Sequence, residues 1–101
     1  MRRYAAKTDK NQQEIIDALR GIGAWVWYIG RPFDLLVGFR GRLYLIEVKN
    51  PKGKDKIGEE QHTEMGKLLH LANIKVHVVR SVEDGLRAIG AMRAKDNGLP
   101  S

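Results

Sequence analysis

The sequence predicts an α/β fold in which a mixed central sheet is flanked by helices. Segments with apolar residues at helical spacing alternate with segments rich in β-branched and aromatic residues, in the order α-β-β-β-α-β followed by a third helix. A strand-helix-strand crossover joins the last strand to a parallel neighbour, whereas a short turn joins the two strands before it. We expect one domain over residues 1–94 and a frayed tail over residues 95–101.

The first helix is predicted in TDKNQQEIIDALRGIG, which is followed by a first strand in AWVWYI. Thr8 or Asp9 can cap the start of this helix, and Gly21 stands where a C-terminal cap would lie. Its apolar residues have helical spacing: Ile15, Ile16 and Leu19.

The second and third strands are predicted in FDLLVGF and RLYLIEV, joined as a hairpin by a short turn around Gly41. Both are apolar on both faces apart from a few charged residues. We therefore expect them to be central strands of a sheet that is covered on both sides.

The second half of the chain predicts a polar loop in KGKDKIG, a helix in EEQHTEMGKLLHLAN, a strand in IKVHVV and a third helix capped by Ser81. The apolar residues of the second helix lie at helical spacing: Met65, Leu68, Leu69 and Leu71. Those of the third helix are expected to face inward: Leu86, Ile89 and Met92.

The charge of the chain favours a polyanionic partner. Eighteen Lys and Arg residues against twelve Asp and Glu give a net charge of +6. The candidate nucleic-acid-binding residues cluster in the middle of the sequence: Arg31, Arg40, Arg42, Lys52, Lys54 and Lys56. No basic amphipathic helix accompanies them, which favours nucleic acid over a membrane. No cysteine, no signal-peptide apolar region and no run of 18 apolar residues is present, so we expect a cytoplasmic protein without disulfides or thiolate metal sites.

Two acids and a lysine interrupt the apolar strands. Glu47 and Lys49 leave the same face of the third strand, and the hairpin brings Asp34 alongside them. A buried carboxylate is tolerated when a cation or hydrogen bonds satisfy its charge, and Lys49 supplies one positive charge for two acids. A magnesium ion held by both acids and a backbone carbonyl would balance the remainder. From the spacing alone, a buried ionic cluster without chemistry is an equal alternative.

Asp34 followed after twelve residues by EVK at 47–49 resembles the PD-(D/E)xK nuclease superfamily, which has a restriction-endonuclease-like core. Longer segments resemble the small stand-alone phage and bacterial members of the virus-type replication-repair nuclease (VRR-NUC) group and cover most of residues 9–90. They are DKNQQEIIDALRGIGAWVW, FDLLVGFRGRLYLIEVKNP, EEQ and VHVVRSVEDGLRAIG. The chain departs from the family in having Phe33 before the aspartate and its proline one residue earlier, at Pro32.

The resemblance implies a catalytic set, which is Glu14, Asp34, Glu47, Lys49 and Gln61. In such a site Asp34, Glu47 and the carbonyl of Val48 would hold Mg²⁺ or Mn²⁺, and Glu14 would reach the ion through water or help to hold a second one. Lys49 would orient a water or stabilise charge on the phosphate. Gln61 would orient the neighbourhood of Lys49 or the phosphate.

The implied function is metal-dependent cleavage of DNA, with branched substrates such as four-way (Holliday) junctions expected, in replication, repair or recombination in a bacterial or phage-infected cell. Two symmetric cuts require two sites, so we expect a homodimer, with Trp25, Trp27 and Tyr28 as its contact. Core packing and stacking on bases are the other roles open to the two tryptophans. A catalytically idle nucleic-acid-binding module and a subunit that delivers DNA to a partner enzyme are the alternative functions.

Overall fold

The structure, a computed structural model, describes residues 10–51 and 57–93. Its elements are α1 (Lys10–Gly21), β1 (Trp25–Tyr28), β2 (Leu35–Phe39), β3 (Arg42–Val48), α2 (Glu59–Ala72), β4 (Val76–Val79) and α3 (Val82–Ala88). The predicted α/β fold with a mixed sheet flanked by helices is confirmed at this level. The predicted cap residues Thr8 and Asp9, most of the polar loop and the tail lie outside the described residues.

The four strands form one sheet in the order β1-β2-β3-β4. β1, β2 and β3 pair antiparallel, and β4 pairs parallel to β3 after the crossover through α2. The β2-β3 turn has positive φ at both central residues, 51° at Arg40 and 80° at Gly41. This conformation matches the twist of a two-residue hairpin and fixes the register, in which Leu35 opposes Ile46.

One face of the sheet, which we call the core face, packs against α1 and α3. Its buried residues alternate along each strand and include Val26, Leu35, Val37, Ile46, Val48 and Val79. They meet Ile15, Ile16 and Leu19 of α1 and Ile89, which directly follows α3. The apolar stripe predicted for the first helix is therefore confirmed as core.

The opposite face, which we call the second face, includes Trp25, Trp27, Leu36, Gly38, Leu43, Leu45, Glu47, Val76 and Val78, with Asp34 and Lys49 beyond the strand ends. It is open at the hairpin end and along the edge strand β1, since Leu43, Trp25 and Trp27 are 66%, 52% and 61% exposed. Its other end is closed, because Glu47 is 3% exposed. The expectation that both faces are covered is therefore wrong for the hairpin end.

α2 packs less tightly than its sequence predicts. No residue of this helix is buried, and Leu69 and Leu71 are 56% and 77% exposed. Asn73 ends the helix in the left-handed conformation, φ 56°, with its N–H donating to the carbonyl of Leu69. The helix is thus defined by its caps more than by an apolar stripe.

Two further details differ from the prediction. The left-handed glycine after α1 is Gly23, with φ 91°, rather than Gly21, which is still helical. Met92 is 40% exposed, because α3 ends at Ala88 and the helical spacing does not extend that far. In the described part of the chain, no helix is long and apolar enough to cross a membrane.

Candidate functional site

Asp34 stands immediately before β2, at the mouth of a closed loop. Its carbonyl accepts hydrogen bonds from the N–H groups of Ile29 (2.7 Å) and Gly30 (3.2 Å), which draws the two ends of the loop together. Because Leu35 opposes Ile46, the register places Asp34 opposite Glu47. The Asp34 side chain continues the pairing in place of the backbone, since Oδ2 accepts from the N–H of Val48 at 2.9 Å.

The surroundings of Asp34 disfavour its negative charge. Burial raises its pKa from 3.8 to about 6. The hydrogen bond from Val48 opposes that rise, the neighbouring Glu47 carboxylate adds to it, and the Lys49 charge and a hydrogen bond with Gln12 oppose it. Two carboxylates at the end of one sheet face therefore repel each other where little water screens them.

Glu47 uses one carboxylate oxygen and leaves the other without a donor. Its Oε2 lies 3.1 Å from Lys49 Nζ, and the two side chains are only 4% and 14% exposed. Its Oε1 is buried and accepts no hydrogen bond from any residue in the described ranges. A buried acceptor left unpaired costs about 1–3 kcal/mol, and more when it is charged.

The oxygen donors at this point suit a hard divalent cation. Asp34 and Glu47 present carboxylates from neighbouring strands, and Glu47 Oε1 has no hydrogen-bond donor among the described residues. Val48 turns its N–H towards Asp34, and in a strand the carbonyl of a residue leaves on the same side as its N–H. The described residues contain no cluster of three or more His, Cys, Asp or Glu side chains, so water would complete the coordination of an ion.

α1 brings two residues to this site that the sequence analysis did not select. Asn11 Nδ2 donates to the carbonyl of Lys49 at 3.0 Å, which ties the helix to the end of β3. Gln12, 7% exposed, hydrogen-bonds the Asp34 side chain. The sequence does indicate that Gln12 is buried, because its position continues the helical stripe of Ile15, Ile16 and Leu19.

Glu14, which the resemblance assigns to the catalytic set, lies elsewhere on α1. Its residue is exposed, and two positions along a helix turn it about 200° from Gln12. The structure thus brings Gln12 to Asp34 and leaves Glu14 on a solvent-facing side of the same helix.

Gln61 braces the loop in front of Asp34. Its Nε2 donates to the carbonyl of Pro32 at 3.1 Å, and its Oε1 accepts from the N–H of Gly58 at 3.2 Å, at the start of α2. The side chain therefore connects the first turn of α2 to the segment that carries Asp34. Both the nitrogen and the oxygen of the Gln61 side-chain amide are therefore engaged by backbone groups.

The predicted nucleic-acid-binding residues lie in three parts of the chain. Arg31, in the Asp34 loop, pairs with Glu60 at 3.2 Å, and both side chains are largely exposed. Arg40 and Arg42 are exposed at the hairpin turn, and six residues separate Arg40 from Asp34, about 20 Å at the rise of a strand. Lys52, Lys54 and Lys56 lie outside the described residues.

Comparisons of this chain with protein-family models, with curated proteins and with solved structures found no match. The resemblance to the VRR-NUC group therefore stays a prediction from the sequence.

Proposed function

We propose that this chain is a nuclease of the VRR-NUC type, with a PD-(D/E)xK core, that hydrolyses phosphodiester bonds in DNA with the help of a divalent metal ion. The observation that carries the proposal is the buried Glu47 Oε1, which lacks a donor among the described residues although its partner oxygen is paired with Lys49. A purely structural ion pair gains nothing from such an oxygen. A cation next to it supplies the missing partner.

Asp34, Glu47 and the carbonyl of Val48 would hold Mg²⁺ or Mn²⁺. When bound, such an ion would supply Lewis-acid polarisation of a phosphate and a lowered pKa of a coordinated water. The two oxygens of Glu47 would then have separate tasks, since Oε1 is free to bind a cation and Oε2 pairs with Lys49. The hydrogen bond from Val48 to Asp34 Oδ2 orients that carboxylate before any ion binds.

Lys49 supplies a fixed positive charge at the site. Its ammonium is held 3.1 Å from Glu47 and is only 14% exposed, so its field acts on a phosphate with little screening by water. It orients the attacking water or stabilises charge that develops on the phosphate. Gln61 keeps the Asp34 loop in place through Pro32. The role assigned to Glu14, through water or a second ion, stays a prediction from the resemblance.

The proposed substrate is branched DNA, with the four-way junction first among the structures to try, in replication, repair or recombination within a bacterial or phage-infected cell. Two symmetric cuts need two copies of the site, so the proposal includes a homodimer. The structure separates the three aromatic residues expected at the dimer contact: Trp25 and Trp27 are exposed on the second face, whereas Tyr28 packs against the core. Sedimentation of the protein alone and on junction DNA tests the assembly.

Incubation with labelled linear, flapped and four-way DNA tests the proposal, with Mg²⁺ and with excess chelator. We expect cleavage only with the metal. Calorimetric titration with Mn²⁺ gives a readout besides activity, in which the Glu47→Gln variant should bind far more weakly than wild type. DNA binding without cleavage of any substrate would instead identify an idle binding module or a DNA-delivering subunit.

A further inference from the structure

Two tryptophans stack on each other at the open end of the second face. The ring centroids of Trp25 and Trp27 lie 6.2 Å apart with an interplanar angle of 10°, and both residues are more than half exposed. Indole rings bury large apolar areas when a partner is present, and exposed apolar clusters mark binding surfaces. The pair therefore forms an exposed aromatic surface, which we call the platform, on the edge strand β1.

The platform borders a shallow depression of about 460 Å³. The depression is lined by Trp25, Leu43 and the hairpin residues Gly38, Arg40, Gly41 and Arg42. Gly38 lies opposite Trp25 on β2 and raises no side chain into it. The floor of the depression is thus backbone and apolar surface, and Arg40 and Arg42 line its hairpin side. The Arg40 guanidinium lies over the ring of Phe39, 4.9 Å from its centroid.

This chemistry fits a nucleotide better than a second copy of the chain. A nucleobase offers a ring face to the indoles, and its phosphate offers oxygens to Arg40 and Arg42. A two-fold contact through the same surface would bring the arginines of two copies close together, in a chain that already carries a net charge of +6. Like charges placed together at an interface cost several kcal/mol.

The platform and the acids share one face and follow one line. Trp27 opposes Leu36, which is two residues from Asp34, about 7 Å along the strand. Arg40 lies about 20 Å from Asp34 by the same measure, a span of roughly six stacked nucleotides at 3.4 Å each. A single strand lying along this face would meet the indoles and then the acids, with the exposed residues of the hairpin turn beyond the indoles.

We propose that Trp25 and Trp27, with Arg40 and Arg42, bind an unpaired segment of the DNA strand next to the site of cleavage. The identification of the polymer as DNA rests on the proposed function. The binding itself does not require catalysis. This surface is then the reason that a branched substrate is preferred, because branched and flapped DNA exposes unpaired bases whereas intact duplex does not.

Intrinsic fluorescence tests the inference directly, because the sequence contains two tryptophans and both belong to the platform. The protein in chelator is titrated with oligothymidine and with blunt duplex of equal nucleotide content. We expect saturable quenching by oligothymidine and much weaker quenching by duplex. Absence of quenching at concentrations where labelled oligothymidine is bound would overturn the inference, since binding would then lie elsewhere.

Variants separate stacking from charge. Trp27→Leu should weaken binding of labelled oligothymidine roughly tenfold or more, and Trp27→Phe, which retains a ring, should restore most of the affinity. Arg40→Gln with Arg42→Gln should flatten the salt dependence by about 0.7 in the logarithmic slope for each phosphate that the variant no longer neutralises. Arg93→Gln, a matched change at an exposed arginine outside the platform, should leave the slope unchanged. Equal effects of the two arginine changes would overturn the assignment.

The outcomes for this surface and for the nuclease are separable. Quenching without cleavage of any substrate supports the platform and rejects the nuclease. Cleavage without quenching supports the nuclease and rejects the platform. If the free protein is a dimer that Trp27→Leu dissociates, a second copy covers the surface and the inference is wrong.

Discussion

The two ends of the second face differ in both residue type and exposure. At the end beyond β3, the Glu47 and Lys49 side chains are 4% and 14% exposed and pair with each other. At the hairpin end, Trp25 and Trp27 are 52% and 61% exposed, beside two exposed arginines. Charges are enclosed where the sheet is covered, and apolar rings are exposed where it is open, which inverts the usual distribution at both ends.

This inversion separates what each end can do. Enclosed charges interact strongly because little water screens them, so the buried end can alter the reactivity of a bound group. Exposed rings and arginines gain contact area when a partner arrives, so the open end can supply affinity. Changes at the buried end should therefore alter rate and stability, and changes at the open end should alter binding and its salt dependence.

The largest expected effect is that of Asp34→Asn. Loss of one of the two carboxylates that we propose to hold the metal should reduce the cleavage rate by a factor on the order of 1000 or more, as expected when several kcal/mol of transition-state stabilisation are removed. Tryptophan quenching by oligothymidine should be unchanged, because the platform lies on the edge strand β1 and neither tryptophan is part of the acid site. A variant that cuts at the wild-type rate would disprove the metal site, and a variant that loses quenching would show that the two ends are coupled.

Lys49→Ala should have the next largest effect. Removing a positioned charge should slow cleavage by about 100-fold, with little change in DNA affinity. Lys67→Ala is the matched control, since Lys67 forms an exposed pair with Glu64 at 3.3 Å and such pairs contribute little. If the Lys49 variant cleaves normally but binds DNA weakly, Lys49 contributes to affinity and not to rate, and the roles assigned to the two ends are wrong.

Burial of the Asp34 carboxylate should also make the stability of the protein depend on pH. The pKa of Asp34 is raised to about 6 in the folded chain, so the folded state binds a proton more tightly than the unfolded state between pH 3.8 and about 6. The contribution of Asp34 to stability is therefore present below pH 3.8 and lost as the pH rises through 6. In chelator, Asp34→Asn should exceed wild type in free energy of unfolding by about 1–2 kcal/mol at neutral pH, because solvent around the half-buried carboxylate screens part of the shift, with a smaller difference near pH 4. Urea titrations across this range measure it, and a difference that is constant with pH would contradict the assignment.

Much of the fold could be predicted from the sequence because its signals are local. The alternation of β3 and the turn at Gly41 define the hairpin, and the bounds of β3 agree with the prediction. The spacing of Asp34, Glu47 and Lys49 likewise follows from strand periodicity and register. The exposure of Leu69 and Leu71 could not be predicted, because helical spacing shows which residues share a side but not whether anything covers it.

The contribution of α1 to the site depends on how the helix is rotated against the sheet. Glu14 was selected through the resemblance, and a carboxylate is the more obvious candidate beside a metal. The buried stripe of α1 instead turns Gln12 inward, to a hydrogen bond with Asp34. The rotation of α1 could be predicted from Ile15, Ile16 and Leu19. The hydrogen bond of Gln12 with Asp34 could not, because an amide within an apolar stripe does not indicate which group it will contact.

The smallest expected effect decides between Gln12 and Glu14. Gln12→Leu keeps the volume but removes a hydrogen bond that lowers the pKa of Asp34, so the variant should need about tenfold more Mg²⁺ for half-maximal cleavage. Saturating Mg²⁺ should restore most of the rate, because the ligands themselves remain. Glu14→Gln is the matched comparison from the same helix, measured over the same Mg²⁺ range. A larger loss in the Gln12 variant supports the geometry described above. A larger loss in the Glu14 variant, uncorrected by Mg²⁺, would show that α1 contributes its exposed carboxylate to catalysis and that the resemblance assigned the residue correctly.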